Sequence, residues 1–481
     1  MRTARSFTSG EYLFDLFMAL FSQELEPPQN PGRFSVYGWR FHKLFPLLAA
    51  LVTFVGLLYV GLPNGIEISF AIRTIFSALV AITVGALAYF TYRIPKVKKH
   101  HLGVAFAIAA ENETLDKRFS ADIIRETEKI LDEVKEESPF HVIQIPCTAF
   151  SEKLDVATAN ILRAKCRAHL LIFGEIKLRK ERGQQYYVLK LNGIVTHAPI
   201  AKEPSSLLAK EMTAILPLKK QIQENDEISG FEITSLQLAL AIKYVLATAA
   251  LLSHDGSLAI KLLEQIQNQK KLLQRNGNLE PIRKLSRLLP KRLRDTYRFM
   301  SIVAFVRWEA TRNEACLVRA VEWLERDNKK VNEDNINYLL LKAVESFVVR
   351  KSVSGAKQWI LKCQMRAFVN PTWRYSAAFL AAYEGNLDDA LNNYESVNLL
   401  DSGHETPFQV EGFIAWVLES EPQQCQLNFC LGYINETMKA DHVLATRYFR
   451  EFLEKCKTLP NASKAIAHAT GYLQARTHGH Q

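Results

Sequence analysis

Residues 44 to 92 hold two apolar runs, LFPLLAALVTFVGLLYVGL and ISFAIRTIFSALVAITVGALAYFTY, separated by PNGIE. No other feature limits so strongly what this chain can fold into. A bilayer's hydrocarbon core takes about 20 apolar residues per helical crossing, and inside it only helices and closed barrels satisfy their own backbone. The pattern predicts a membrane α-helical hairpin, two transmembrane helices over 44–92. Arg33, Arg40 and Lys43 precede the first run, Arg93, Lys96, Lys98 and Lys99 follow the second, and the turn between them carries only Glu67. Since Lys and Arg stay on the cytoplasmic side, the reading is an integral membrane protein with both termini cytoplasmic. Arg73 is the one charge inside the runs. It lies about one turn from the external end, where a long side chain reaches the headgroups. Ala78, Ala81, Gly85 and Ala88 in the second run permit close helix contact, though such residues occur in any membrane helix; a homo-oligomer is one expected partner state.

Ahead of the hairpin, residues 1–43 read as a cytoplasmic segment. Arg2 and Arg5 before YLFDLFMALF imitate the start of a secretory signal, but Glu11 and Asp15 interrupt the apolar stretch and no small-residue cleavage site follows. Glu11 to Glu24 is expected to form an amphipathic helix, on the membrane surface or on the soluble part. Pro27 to Gly32, PPQNPG, reads as a linker.

Almost 390 residues follow Arg93, and the whole chain is 48% hydrophobic and 23% charged, which suits ordinary globular folding in two or three soluble domains. Seven cysteines (Cys147, Cys166, Cys316, Cys363, Cys425, Cys430 and Cys456) lack the dense spacing of a disulfide-stapled secreted domain. Cys425 and Cys430 are too far apart for a CxxC site. The cysteines therefore read as structural and the compartment as reducing.

From 102 to 220 short β-rich runs alternate with amphipathic helices. GVAFAI and FHVIQIP read as strands, Ser120 to Glu137 and Glu152 to Arg167 as helices, and HLLIFGEIKLR with QYYVLKLNGIV as a hairpin turning over Glu181 to Gly183. A helix from Ser205 to Leu216 closes the segment. This order predicts a small α/β domain with an antiparallel hairpin at its end. AHLLIFGEI, the hairpin and YYVLKLNGIV, following a helix that ends in Ala164, Lys165 and Cys166, resemble the TolB amino-terminal-like domain over roughly Leu102 to Ile200, with Gly174 in the family's glycine place. The resemblance implies a non-enzymatic interaction or sensing module. A nucleotide-binding domain would need a glycine-rich turn after the first strand. Instead AAENETLDK carries Glu111, Glu113 and Asp116, carboxylates that repel phosphate and suit a metal or cationic partner, or simply a solvated loop.

Between 230 and 475 amphipathic helices take over. SAAFLAAYEGNLDDALNNYESV sets small residues where two helices touch, a Gly385-Asn386 turn, then Ala390 and Tyr394 on the second helix. This resembles a tetratricopeptide repeat. The second match, FCLGYINETMKADHVLATRYFREFL, places Gly432 in its first helix and Ala445 and Phe449 in its second. Ala356, with Ile360, lies 34 positions before Ala390, Ala320 lies 36 before Ala356, and Ala259 with Leu263 begins the series. The first and last intervals break the period, so an irregular all-α array is expected. What the resemblance implies is a concave surface for peptides or proteins. Trp308, Trp323, Trp359, Trp373 and Trp416 read as core fillers.

Lys270 to Arg298 concentrates ten basic residues against Glu280 and Asp295, most of the chain's +10. Arg283, Arg287, Lys291, Arg294 and Arg298 would share a helical face, with Leu285, Leu288, Leu289 and Leu293 opposite, were Pro290 not expected to break or kink the helix. This patch is first a solvated face, second a surface for anionic lipid or an acidic partner, and last a nucleic-acid site.

No HExxH, GxSxG, Walker loop or paired-Cys zinc pattern occurs. Adjacent Ser253, His254 and Asp255 read as a helix-helix turn, and His478 with His480 as a tail. No catalytic, metal or cofactor-binding residue is assigned. The leading functional expectation is a membrane-anchored scaffold binding protein partners through the α/β module and the array. A second is a membrane effector or sensor whose cytosolic domains drive oligomerisation of the hairpin and disturb the bilayer. A third, an enzyme in the α/β domain, requires a pocket gathering groups such as His141 and Glu175.

Overall fold

The computed structural model describes residues 74–75, 78–86, 94–111, 113–132, 140–150, 154–181, 184–198, 210–212, 215, 219–223, 227–269, 280–326, 335–366, 372–398, 406–456 and 459–478. The N-terminal segment, Arg73 and most of the expected hairpin lie outside these. Of the second apolar run, residues 74–75 and 78–86 are helical, with Ile75, Leu79 and Ile82 about two-thirds exposed and Ala81 buried. Among the described residues one helical stretch, Thr234–Leu252, is long and apolar enough to cross a membrane, and all of it is buried inside the protein. The chain divides into two compact units, Met1–Thr296 and Tyr297–Gln481.

The first unit is built on a five-stranded sheet in the order β2-β1-β3-β4-β5. Its strands are β1 (Leu102–Ala110), β2 (Phe140–Gln144), β3 (Leu170–Glu181), β4 (Gln184–Val195) and β5 (Lys219–Gln223). β2 and β3 run parallel to β1, whereas β4 and β5 are antiparallel additions. β1 is the continuous apolar run LGVAFAIAA, and such a strand belongs at a sheet centre covered on both faces. Alternation sends Ala105 and Ala107, with Leu171 and Phe173 of β3, to one face. There they meet Ala159, Leu162 and Cys166 of helix α3 (Val156–Cys166), whose start is capped by Asp155 accepting the Thr158 amide at 2.7 Å. β3 runs on through Gly174 to Glu181.

Toward the other face lie α1 (Glu113–Phe119), a π-helical turn (Ser120–Ile124) and α2 (Arg125–Asp132), followed in space by the long α4 (Glu227–Leu252) and α5 (Gly256–Asn268). α1 begins seven residues before the expected helix start at Ser120. Ser235 of α4 donates its hydroxyl to the Asp122 and Ile123 carbonyls at 3.3 Å, tying α4 to the widened turn. The Ser253-His254-Asp255 segment is a helix-helix turn: His254 takes φ +63° and Asp255 caps α5 through the Leu258 amide at 3.0 Å. Thus α4, whose residues the sequence reading gives mostly to the helical array, packs with the sheet, and α5 packs on α4.

α6 (Glu280–Thr311) continues through Pro290, so of the expected break or kink the break does not occur, and it contains the division between the units. Proline removes one intrahelical donor; the buried stripe Ile282, Leu285, Leu289 and Leu293 carries the helix past that loss. The second unit is helical throughout its described residues. α7 (Glu314–Glu325) leads into α8 (Ile336–Val348), α9 (Val353–Arg366), α10 (Thr372–Tyr383), α11 (Leu387–Asn398), α12 (Thr406–Ser420), α13 (Leu427–Thr437), α14 (His442–Lys455) and α15 (Ser463–His478). α8 packs on α9, α10 on α11 and α13 on α14, each pair closed by a short turn. The C-terminal half is therefore an array of packed adjacent helices. Its irregularity has a visible source in α12, an extra helix between the second and third pairs that packs on α10 and α13.

Candidate functional site

Two of the pairs use the small-residue contacts expected of them. Ala390, Tyr394, Ala445 and Phe449 are fully buried. A Cβ on Gly432 would stand 2.6 Å from the Phe449 ring, so the α13–α14 contact needs glycine there. Gly385 sits in the α10–α11 turn at φ +85°, a conformation glycine adopts without strain. Burial, reinforced by the neighbouring Cys430 thiol, pushes the Tyr394 phenol well above its ordinary range. These residues form the seam of the array and present no chemistry to solvent.

The concave feature lies elsewhere in the second unit. α6, α8, α10 and α12 surround a groove of about 180 Å³ whose walls include Phe305, Trp308, Leu340, Val344, Phe347, Phe379, Val410 and Phe413. Phe347 and Phe379 stand edge to face with ring centres 5.0 Å apart, and Phe379 meets Phe413 at 5.1 Å in the same geometry. Aromatic pairs prefer this edge-to-face arrangement over a face-to-face stack. At one end the Arg312 guanidinium lies over both Trp308 and Trp416, 5.0 and 5.1 Å from the ring centres. Glu309, Ser376 and Gln409, with Tyr375, supply the polar part of the lining. Burial pushes the Glu309 carboxyl up, with Arg312 opposing the shift. The Trp308 indole N–H has no acceptor among the described residues.

Of the tryptophans read as core fillers, Trp308 and Trp373 are almost wholly buried, whereas Trp323, Trp359 and Trp416 are half-buried at the core's margin. The margin ones carry cations on their faces: Arg326 lies 4.3 Å from Trp323 and Lys362 3.9 Å from Trp359. A second hollow, wider and open at about 790 Å³, lies along α14 and α15. Arg447, Arg450, Arg476 and His442 face Glu451 and Glu454 there, so its charge is mixed.

In the first unit, Arg283 and Arg287 are exposed on α6 and Lys291 and Arg294 half-buried; in the second, Arg298 is half-buried. Arg292 from the same basic stretch falls instead on the buried side. Its guanidinium donates to the Glu211 carboxylate at 2.6 Å and to the Tyr244 hydroxyl at 3.5 Å, with Asp295 3.7 Å away. Tyr244 also donates its hydroxyl to Glu211. Burial works against the Arg292 charge, but Tyr244 and the Glu211 and Asp295 carboxylates outweigh it and raise its pKa. Burial likewise raises the Tyr244 phenol. Among the described residues, no member of this ionic network lines the groove or the second hollow.

The sheet does not assemble an active site from the expected groups. Register sets His141 beside Gly103 and Glu175 beside Ala109, six residues apart on β1 or about 20 Å at strand rise. His141 accepts the Lys98 amide at 3.2 Å, and Glu175 is engaged by Lys177 and Lys190 at 2.7 and 3.1 Å. Two of the acidic residues after β1 are also used internally. Glu111 accepts the Leu178 amide at 3.2 Å, and Asp116 accepts from Gln144 at 3.2 Å. Among the described residues no three His, Cys, Asp or Glu side chains converge to hold a metal ion.

Sequence reasoning passed over Phe305, Phe347, Phe379 and Phe413, the groove's main aromatics. Each falls on an apolar helical stripe, and periodicity alone does not separate a stripe that fills a core from one that lines a groove. No family model matches the chain, and no curated protein matches it.

Proposed function

We propose that this protein is a scaffold held at the cytoplasmic face of a membrane, and that its helical array binds an apolar segment of a protein partner. One observation carries the reading: the aromatic groove among α6, α8, α10 and α12. Trp308, Phe347 and Phe379 on its walls are buried in the core, while Phe305, Val410 and Phe413 are only partly buried, and spaced apolar anchors of this kind receive amphipathic helices. The paired helices with Gly432 against Phe449 and the Gly385 turn fit a tetratricopeptide-like arrangement, which uses its concave side in this way. The membrane anchor rests on the apolar runs and their basic flanks, with Ile75, Leu79 and Ile82 forming an exposed apolar helical face that suits lipid.

A photoreactive residue at the exposed Gln409 position tests the groove in native membranes. A discrete crosslinked product is expected, lost with Val410→Glu and absent when the same probe replaces Leu361, which is exposed on α9. An unchanged product in Val410→Glu removes the groove from the function. Retention in the membrane pellet through an alkaline wash tests the anchor, and release into the supernatant overturns it.

A further inference from the structure

Cys425 and Cys456 are joined by a disulfide across 31 positions, with Cα atoms 6.3 Å apart. Cys425 lies half-exposed in the turn before α13, and Cys456 lies buried at the C-terminal cap of α14. The bridge thus fastens the far end of α14 back to the start of its partner helix. Five cysteines remain as thiols. A chain matured under oxidising conditions seldom keeps so many, and the composition reads as that of a reducing compartment. Burial pushes Cys166 up to about 11 and Cys363 and Cys430 up to about 12, which leaves those three inert toward exchange.

A second anchor lies just beyond the bridge. Asp388 of α11 accepts the Lys464 and Ala465 amides at 3.0 and 3.4 Å and the Ser463 hydroxyl at 3.2 Å, and its own amide donates to the Asn461 carbonyl at 3.1 Å. Cys456 is therefore held by sulfur, Asn461 by the Asp388 backbone amide, and the start of α15 by the Asp388 carboxylate. Loss of the bridge would release the α14 end while α15 stays docked.

We propose that the Cys425–Cys456 bridge is a reversible redox modification site, opened by a protein dithiol, that sets the local stability of the α14–α15 corner. Of the two sulfurs, the one attacked is that of Cys425, the less buried residue. A thiolate of the dithiol attacks it, the Cys425–Cys456 bond breaks, and the electron pair leaves on Cys456 Sγ, which takes up a proton. The dithiol's second thiolate then attacks its own sulfur in the mixed disulfide. Cys425 departs as a thiol and the reductant leaves as an internal disulfide, so two electrons pass from two thiols to one bridge.

The test counts thiols on the full chain, using a polymer-tagged maleimide after rapid acid quenching and denaturation. Five labels are expected on the isolated protein and seven after the folded protein is incubated with a thioredoxin-type dithiol. Seven at the outset means that no bridge forms, and five after incubation, rising only on unfolding, means an inert staple. Either result overturns the proposal. Hydrogen exchange supplies the second reading. Amides from Phe452 to Cys456 should exchange about tenfold faster or more in the reduced chain, with the amides capped by Asp388 unchanged. Cys425→Ser should reproduce the reduced profile, and a profile like that of the oxidised wild type would show that the bridge does not hold this corner.

Discussion

Arg292 in the first unit and Phe413 in the second show opposite ways of finishing a fold. Around Arg292, the first unit carries charge into its interior and closes it there, with Glu211, Tyr244 and Asp295 on every side that matters. Around Phe413, the second unit brings aromatic rings to a groove, with Trp308, Phe347 and Phe379 buried in the core and Phe305 and Phe413 only partly covered. Buried charge and exposed apolar surface are both costly unless something answers them. In the first unit the answer comes from the chain itself. In the second it would come from a partner, which is why we place function in the array and stability in the network.

The largest expected effect breaks the first half of that contrast. Arg292→Met leaves two carboxylates without their cation, and removing one member of a buried pair costs about 3–5 kcal/mol, read from the denaturation midpoint of the full chain. Adding Glu211→Gln should restore part of the loss. A cost under about 1 kcal/mol would mean that water already reaches the network.

Packing in the array comes next. Gly432→Ala drives a methyl into the Phe449 ring, and overpacking of this kind costs about 1–3 kcal/mol. Phe449→Leu in the same chain should recover some of it. Gly412→Ala on α12 is the control, since a Cβ there meets nothing within 4 Å. Its expected effect is a slight gain, because alanine favours helix over glycine by about 1 kcal/mol. A Gly432→Ala chain as stable as the wild type would mean that α13 and α14 are looser than their contact implies.

The smallest effect sharpens the groove itself. The Glu309 carboxyl is raised by burial, so the folded chain holds that proton more tightly than the unfolded one. Its contribution to stability is therefore present below the ordinary carboxylate range and is lost as pH rises through the folded value. Glu309→Gln removes that loss. The melting temperature should rise by about a degree or two at neutral pH and not at all near pH 4, an effect kept small by the residue's half exposure. A groove filled by a partner should enlarge the difference, because covering Glu309 desolvates it further.

How much was legible in advance depended on whether the signal was local. The β1 and β3 strands, the Asp255 turn and the Gly385 turn are each written in a few neighbouring residues, and each is where its pattern indicates. β5 was missed because KKQIQ has no apolar alternation strong enough to stand alone; it is a strand because β4 offers it an edge. At Pro290 the reverse holds for the expected break. A strong local breaker was overruled by the buried stripe on either side of it. The departures from a 34-residue period were visible too, but their cause was not, since α12 carries no mark that distinguishes an extra helix from half of a pair.

Ala259 makes the same point at the scale of a unit. Its spacing places it in the repeat series, while its packing places it in α5 against α4. Spacing records what a helix is like, and packing records which neighbour it finds. Arg292 and Arg294 are both basic residues two apart on one helix, and only the first meets Glu211 and Tyr244, from segments 81 and 48 positions away.

Sequence by itself determined the secondary structure that depends on contiguous residues: two apolar runs with basic flanks, a β-rich segment, then helices with small residues at set intervals. Tertiary structure decided which apolar stripes became core and which became groove, where the two units divide, and which two of seven cysteines met. The physical reason is one of range. Propensity, capping and periodicity act over about one or two helical turns. The groove, the ionic network and the bridge each join residues dozens of positions apart, where only the folded path brings them within a few ångströms.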